Sequence, residues 1–191
     1  MSGEIKVRDD STNPYLLWTR NVKDELKSLS TEAIKDKLQT EAFPFAVMMC
    51  QTHSDFNFGT LVRTANNFGA KEVFYYGEQK RWNKSGAQGT YKYTPVQYLK
   101  TTEEIRELKK RYTLIGLENN TAGTTLLKDC NWDKDRSYCF VFGEESAGLT
   151  PELLALVDHL IELPSFGSVR SLNVGSCGAI VMYDYICKTN R

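Results

Sequence analysis

The segment that decides the fold is Pro44–Gly77, PFAVMMCQTHSDFNFGTLVRTANNFGAKEVFYYG. Its first part, Pro44–Cys50, is an apolar run of strand length that breaks into the polar turn His53–Gly59. The next part, Thr60–Phe68, puts Leu61, Ala65 and Phe68 on one helical face. Asn57 is placed to cap this helix, and Gly69 suits the left-handed stop after its last turn. Lys71–Gly77 is again a strand. Strand, turn, helix and strand in this order make a βαβ unit, which needs parallel strands and predicts an α/β sheet with helices on both faces.

Working outward, residues 1–14 read as a polar arm. From Tyr15 to about Thr40, Leu16, Leu17, Val22, Leu26, Leu29, Ala33, Ile34 and Leu38 recur at helical spacing, with Ser30 or Thr31 capping a second helical piece. Residues 1–43 are thus an arm and helical extension, and residues 44–191 one domain. Gly77–Tyr93 interrupts the pattern as a mobile-looking loop that sets Lys80, Arg81 and Lys84 around Trp82. It reads either as an ordinary surface loop or as the segment that faces RNA. Further on come a helix over Thr101–Arg111 with a Thr101/Glu104 capping box, a strand at Thr113–Glu118, and another at Ser137–Gly143. A helix capped by Thr150 with Pro151 at its first position runs through Val157. His159–Leu163 is the last strand, and Asn173 to about Lys188 the last helix, with Asn173 as a possible cap.

Composition narrows the function. The chain has 191 residues, 41% of them hydrophobic and 25% charged, which suits one globular core with an extension. The formal charge is zero, so any binding of nucleic acid must rest on a local patch or on symmetry. The polar start holds no apolar signal core and no span of membrane length occurs, giving the expectation of a soluble, cytoplasmic protein. Cys50, Cys130, Cys139, Cys177 and Cys187 form no CxxC pair, and only His53 and His159 could join them on a metal. Reduced, buried thiols and no metal are expected.

In an open parallel sheet, ligands bind beyond the carboxyl ends of the strands. The loops there contain Asn57, Arg63, Glu145, Ser171 and Asn173, but no nucleophile with a base placed beside it. Dinucleotide and phosphate-binding glycine loops are missing. Gly143-Glu144-Glu145-Ser146-Ala147-Gly148 lacks the second glycine spacing of a nucleophile elbow, so hydrolysis is disfavoured. Two turns stand out within Phe140–Ile186: Gly143–Leu149 and Ser171–Val174, both rich in small and polar residues after apolar runs.

Three ordered motifs then carry a resemblance. Asn57-x-Gly59-x-x-x-Arg63-x-Ala65-x-x-Phe68-Gly69, Gly143-x-Glu145-x-x-Gly148-Leu149 and Pro164-x-x-Gly167-x-x-x-Ser171-Leu172-Asn173-Val174 resemble those of the SpoU (TrmH) group of SPOUT RNA methyltransferases. The resemblance covers Phe45 to Ile186. It implies a C-terminal trefoil knot, a homodimer, and S-adenosylmethionine-dependent methylation of RNA ribose at the 2′-oxygen. By the same resemblance the cofactor lies against backbone at Leu117, Gly143, Leu163 and Leu172. Arg63 corresponds to the family's proposed catalytic arginine; Asn57 orients it or caps its helix. Glu145 holds the second turn or pairs with a cation, and Ser171 and Asn173 contact substrate or fix the third. Gly175 stands where the family commonly has Ser. The extension ahead of Phe45 is too short for a separate rRNA-binding domain, which makes tRNA the expected substrate. The alternatives are rRNA as substrate, or a catalytically silent dimer that keeps the fold and binds RNA.

Overall fold

The computed structural model describes residues 20–50, 56–78, 81–119, 121–144 and 147–189. The N-terminal arm, Tyr15–Thr19 of the helical extension, His53, Lys80 and Glu145 lie outside the described residues.

The strands are β1 (Phe43–Cys50), β2 (Ala70–Tyr76), β3 (Val96–Leu99), β4 (Thr113–Leu117), β5 (Thr124–Leu126), β6 (Tyr138–Phe142) and β7 (His159–Glu162). They form one sheet in the order β3-β2-β1-β6-β4-β7-β5, with every pairing parallel. The helices are α1 (Thr31–Thr40), α2 (Phe56–Asn67), α3 (Thr102–Leu108), α4 (Pro151–Leu154) and α5 (Val174–Thr189). No described helix is long and apolar enough to cross a membrane.

The run Phe45–Cys50 is buried throughout because both of its faces are covered. Phe45, Val47 and Met49 share a core with Phe58, Leu61, Val62 and Ala65 of α2 and Val181, Met182 and Tyr185 of α5. Ala46, Met48 and Cys50 point the other way, to Ile105 and Leu108 of α3 and Leu153 of α4. α2 and α5 therefore lie on the same side of the sheet. They approach closely at Gly178, where a Cβ would stand 2.4 Å from Leu61 Cδ1.

Local chemistry sets several boundaries. The Ser30 hydroxyl accepts from Ala33 N at 3.1 Å and opens α1. The reciprocal Thr101/Glu104 box opens α3, and the Thr150 hydroxyl accepts from Leu153 N to open α4. Gly69 ends the α2 segment with φ +69°. Asn57 is not the cap of α2, because the helix already begins at Phe56 and Asn57 lies in its first turn.

Elsewhere tertiary contacts override the local pattern. α4 stops at Leu154, short of Val157, because the chain is drawn into the sheet: Asp158 N donates to Leu114 O, and Leu114 N donates to the Asp158 carboxylate, each at 2.8 Å. β3 and β5 are short edge strands in segments where the sequence predicts no strand. Between Arg20 and Thr40 the helical spacing yields a 3-10 turn at Asp24–Leu26 and then α1. Leu26 and Ile34 bury against Tyr93 in a small satellite core.

The loop before β3 is packed. Two 3-10 turns, Ser85–Ala87 and Thr90–Lys92, press it onto α2. A Cβ on Gly59 would lie 3.0 Å from Asn83 O and Ala87 N, and one on Gly86 2.9 Å from Phe56 O. The Trp82 ring meets Phe58 edge-on at 4.9 Å and Tyr91 at 5.8 Å.

Candidate functional site

The carboxyl ends of β4, β6 and β7 and the start of α5 surround a cavity of about 410 Å³. Leu117, Gly143, Leu163 and Leu172 all line it, as do Ser171 and Arg170. One side is the turn after β6. Glu144 N donates to Gly148 O at 3.0 Å and Gly148 N returns a bond to Glu144 O at 2.7 Å. This fold-back brings Gly148 so close to Gly143 that a Cβ there would stand 2.2 Å from the Gly148 carbonyl carbon. Gly148 has φ +69°, and its own Cβ would meet Glu118 Oε2 at 2.3 Å. Both glycines are therefore demanded by the turn.

The opposite side is the exposed segment from Pro164 to Asn173, tied by a bond from the Ser165 hydroxyl to Val169 O at 2.7 Å. Leu172 is 48% exposed despite its apolar side chain. Asn173 ends this segment and caps α5, its Oδ1 accepting from Gly175 N at 3.0 Å and Ser176 N at 3.4 Å. Its amide also donates to Asn57 Oδ1 at 3.0 Å, joining the first and third motif segments across 116 positions of chain. At Gly175 a Cβ would lie 3.2 Å from both Asn173 Oδ1 and Thr60 Cγ2. The glycine thus leaves room for this junction.

Arg63 lies on the exposed side of α2 and does not line the cavity. Arg81 and Lys84 are exposed on the loop against the same helix, with Lys84 Nζ 4.8 Å above the Tyr91 ring. One chain therefore assembles the four expected cofactor residues with Ser171, and separately joins Asn57 to Asn173. Arg63 is not brought to the cavity within that chain.

Burial pushes the Cys177 thiol up to about 12, with the Glu118 charge adding to it, and Cys50 up to about 12 by burial and then Glu144. Both thiols stay protonated at neutral pH and offer no nucleophile.

Sequence reasoning passed over Glu118 and Asn119. The Glu118 carboxylate accepts from Leu149 N at 2.8 Å and from Asn119 N at 3.0 Å. The Asn119 side chain accepts from Leu163 N and donates to Arg170 O, both at 3.3 Å. The only linear signal was two polar residues directly after an apolar strand.

Comparison with known proteins bears on this geometry. Residues 44–183 match the SpoU rRNA Methylase family. A tRNA (guanosine(18)-2′-O)-methyltransferase of Escherichia coli K12 is 30% identical over 141 residues, covering 72% of this chain and 61% of the relative. This chain thus matches about three fifths of that enzyme's length. The crystal structure of the A. aeolicus TrmH/SpoU tRNA modifying enzyme superposes with a TM-score of 0.72 at 21% identity, over 84% of this chain and 82% of that one. The SpoU methyltransferase AviRb from Streptomyces viridochromogenes, in complex with the cofactor AdoMet, superposes at 0.66 with 20% identity, over 75% and 57%. These likenesses show the same fold.

Proposed function

The chain belongs to the SpoU rRNA Methylase family, and on that premise we propose that it transfers a methyl group from S-adenosylmethionine to a ribose 2′-hydroxyl of RNA, with tRNA the favoured substrate and rRNA the second. The observation that carries this reading is the cavity at the carboxyl ends of β4, β6 and β7, where the second and third motif segments meet. Its residues fit the cofactor. Leu117, Gly143, Leu163 and Leu172 line the cavity, and in this reading their main chain meets the adenosine. Glu118, Glu144 and Glu162 face one cation, Arg170, which suits a ligand that bears positive charge and no phosphate.

The cofactor, when bound, supplies an electrophilic methyl group on a sulfonium. The chain must hold the hydroxyl in line while its proton passes to solvent water, so orientation supplies much of the rate. A guanidinium, with its pKa above about 12, is a weak base. In this reading Arg63 grips the RNA phosphate and polarises the hydroxyl, while Asn57 and Asn173 hold the junction between α2 and α5. Ser171 stands at the mouth of the cavity on the substrate side, and Glu145 steadies the turn after β6.

A homodimer is part of the proposal. Ile180 and Tyr183 of α5 are 42% and 60% exposed, and the Tyr183 ring lies 6.2 Å from Phe68 at the end of α2, an apolar strip suited to a second copy. The distance of Arg63 from its own cavity favours a site completed by that copy. A monomeric mass at micromolar concentration by light scattering would remove this element. A trefoil knot belongs to the same reading: β7 lies beyond β6 and β4 from β1, whereas α5 packs on α2, so the segment between them crosses those strand ends. A fully stretched length with no shortening from a tightened knot, when the termini are pulled apart, would exclude it.

Calorimetry with S-adenosylmethionine, followed by transfer of labelled methyl to tRNA and rRNA transcripts, tests the function. A dimer that binds no cofactor would instead support a silent RNA-binding protein. The RNA is proposed to rest on Arg81 and Lys84 beside α2 and on Lys80, the residue before Arg81 in the sequence. Reversing Arg81 and Lys84 should lower RNA affinity and flatten its salt dependence by about one unit of slope per cation; unchanged affinity would reject that surface.

A further inference from the structure

We propose, building on the reading of the cavity as an S-adenosylmethionine site, that Glu118 binds the ribose hydroxyls of the cofactor, and that Asn119 positions the walls around it. Glu118 directly follows β4, and its main-chain N–H still donates to Ile161 O at 3.1 Å, so the residue is fixed by the sheet. Its carboxylate is half-buried and lines the cavity. An ionised carboxylate offers about four acceptor sites and donates nothing. Two of these take Leu149 N and Asn119 N, at 2.8 and 3.0 Å. Among the described residues no lysine, arginine or histidine forms an ion pair with it. A half-buried anion in that state is stabilised by further donors. A vicinal diol supplies two, at the spacing a carboxylate accepts, as in the acid–ribose contact of dinucleotide folds.

The surroundings keep this carboxylate in place. Gly148 leaves the room that Oε2 occupies, since a Cβ there would lie 2.3 Å away. The other two acids lining the cavity are differently engaged: Glu162 accepts from the Thr124 hydroxyl at 2.8 Å, and Glu144 lies toward Cys50. Asn119 completes the arrangement by bonding Leu163 N and Arg170 O, so that two adjacent residues after β4 tie together the turn after β6, the end of β7 and the segment before α5. The three walls are joined before any ligand arrives, which lowers the ordering cost of binding.

The test is a thermodynamic cycle on the full chain, read by calorimetry with S-adenosylhomocysteine and its 2′-deoxy analogue against wild type and Glu118→Gln. Wild type should lose about tenfold in affinity when the 2′-hydroxyl is removed, the size expected for a hydrogen bond to a charged group. Glu118→Gln keeps one oxygen for Leu149 N, should bind S-adenosylhomocysteine about tenfold more weakly, and should no longer distinguish the two ligands. Equal affinity of wild type for both ligands overturns the proposal whatever the variant does. So does a variant weakened toward S-adenosylmethionine but not S-adenosylhomocysteine, because the sulfonium charge would then be what Glu118 senses. Wild type that binds neither S-adenosylmethionine nor S-adenosylhomocysteine overturns the cofactor reading itself, a result distinct from the first two.

Discussion

The cavity beyond β4, β6 and β7 and the outer face of α2 present opposite kinds of surface. The cavity is built from turns whose glycines, Gly143 and Gly148, permit main chain to run against main chain, and its walls are already bonded to one another. The α2 face instead offers side chains, Arg63 with Arg81 and Lys84 on the adjoining loop, all exposed. A small rigid ligand rewards the first kind of surface, because little ordering remains to be done on binding. A long flexible polyanion rewards the second, because cations on mobile stems follow phosphates. On the proposed reading, cofactor binding and reaction with RNA are separable, and mutations should divide along the same line.

The largest effect is expected at Arg63. Arg63→Ala should lower methyl transfer by about 10²- to 10³-fold, the range for removing one group that stabilises charge developing on the reacting oxygen, while the cofactor Kd stays within about twofold. Single-turnover kinetics beside calorimetry measures both. Wild-type turnover in the variant would erase the division between the two surfaces.

The counterpart on the cavity side is Gly148→Ala. Its Cβ would be held at φ +69° and directed at Glu118 Oε2, so the turn must open. Left-handed strain and the clash together should cost about 1–3 kcal/mol in stability and weaken cofactor binding about tenfold or more. Thermal unfolding and calorimetry should move together. An unchanged cofactor affinity would mean that the turn does not shape the site.

How much of this was legible in the sequence depended on whether the deciding contact was local. Phe45–Cys50 announced a central strand because both of its faces are buried, and Ser30, Thr101 with Glu104, Thr150 and Asn173 announced helix starts through bonds spanning two or three residues. β3 and β5 were hidden, since edge strands of three or four residues with mixed exposure carry no apolar run. The loop before β3 looked mobile, because nothing near Gly86 in the chain tells that α2 presents Gly59 to it. In the cavity, Leu117, Gly143, Leu163 and Leu172 came from motif resemblance, and the structure gathers them around one space. Glu118 stayed hidden for the same reason as Gly59: its partner, Leu149, is 31 residues further on.

Asn173 sits on the boundary between the two surfaces and sharpens the comparison. Asn173→Ala removes the cap of α5 and the bond to Asn57. The lost cap should cost about 1 kcal/mol in denaturant unfolding. Turnover should fall by more than that loss of stability explains, because the Asn57 end of α2 loses its tie to the cavity wall. A fall in stability alone would leave Asn173 as a cap and nothing more.

The smallest expected effect is a test of silence. Cys177 lines the cavity, and a thiol in the proposed methyl-transfer site invites a role as nucleophile or proton acceptor. Burial and the neighbouring Glu118 push its thiol up to about 12. A raised thiol pKa means that the neutral form persists below that value, so between pH 7 and pH 9 the group neither gains charge nor turns nucleophilic. Cofactor affinity of the wild type should therefore be flat across that window in any contribution from Cys177, and Cys177→Ser should follow the same profile. Alkylation at pH 8.5, followed by peptide mapping, should label Cys177 slowly in the folded protein and rapidly once it is unfolded. A step in affinity near pH 8 that disappears in Cys177→Ser would place an ionising thiol inside the cavity, and the proposed binding through main chain and Glu118 alone would fail.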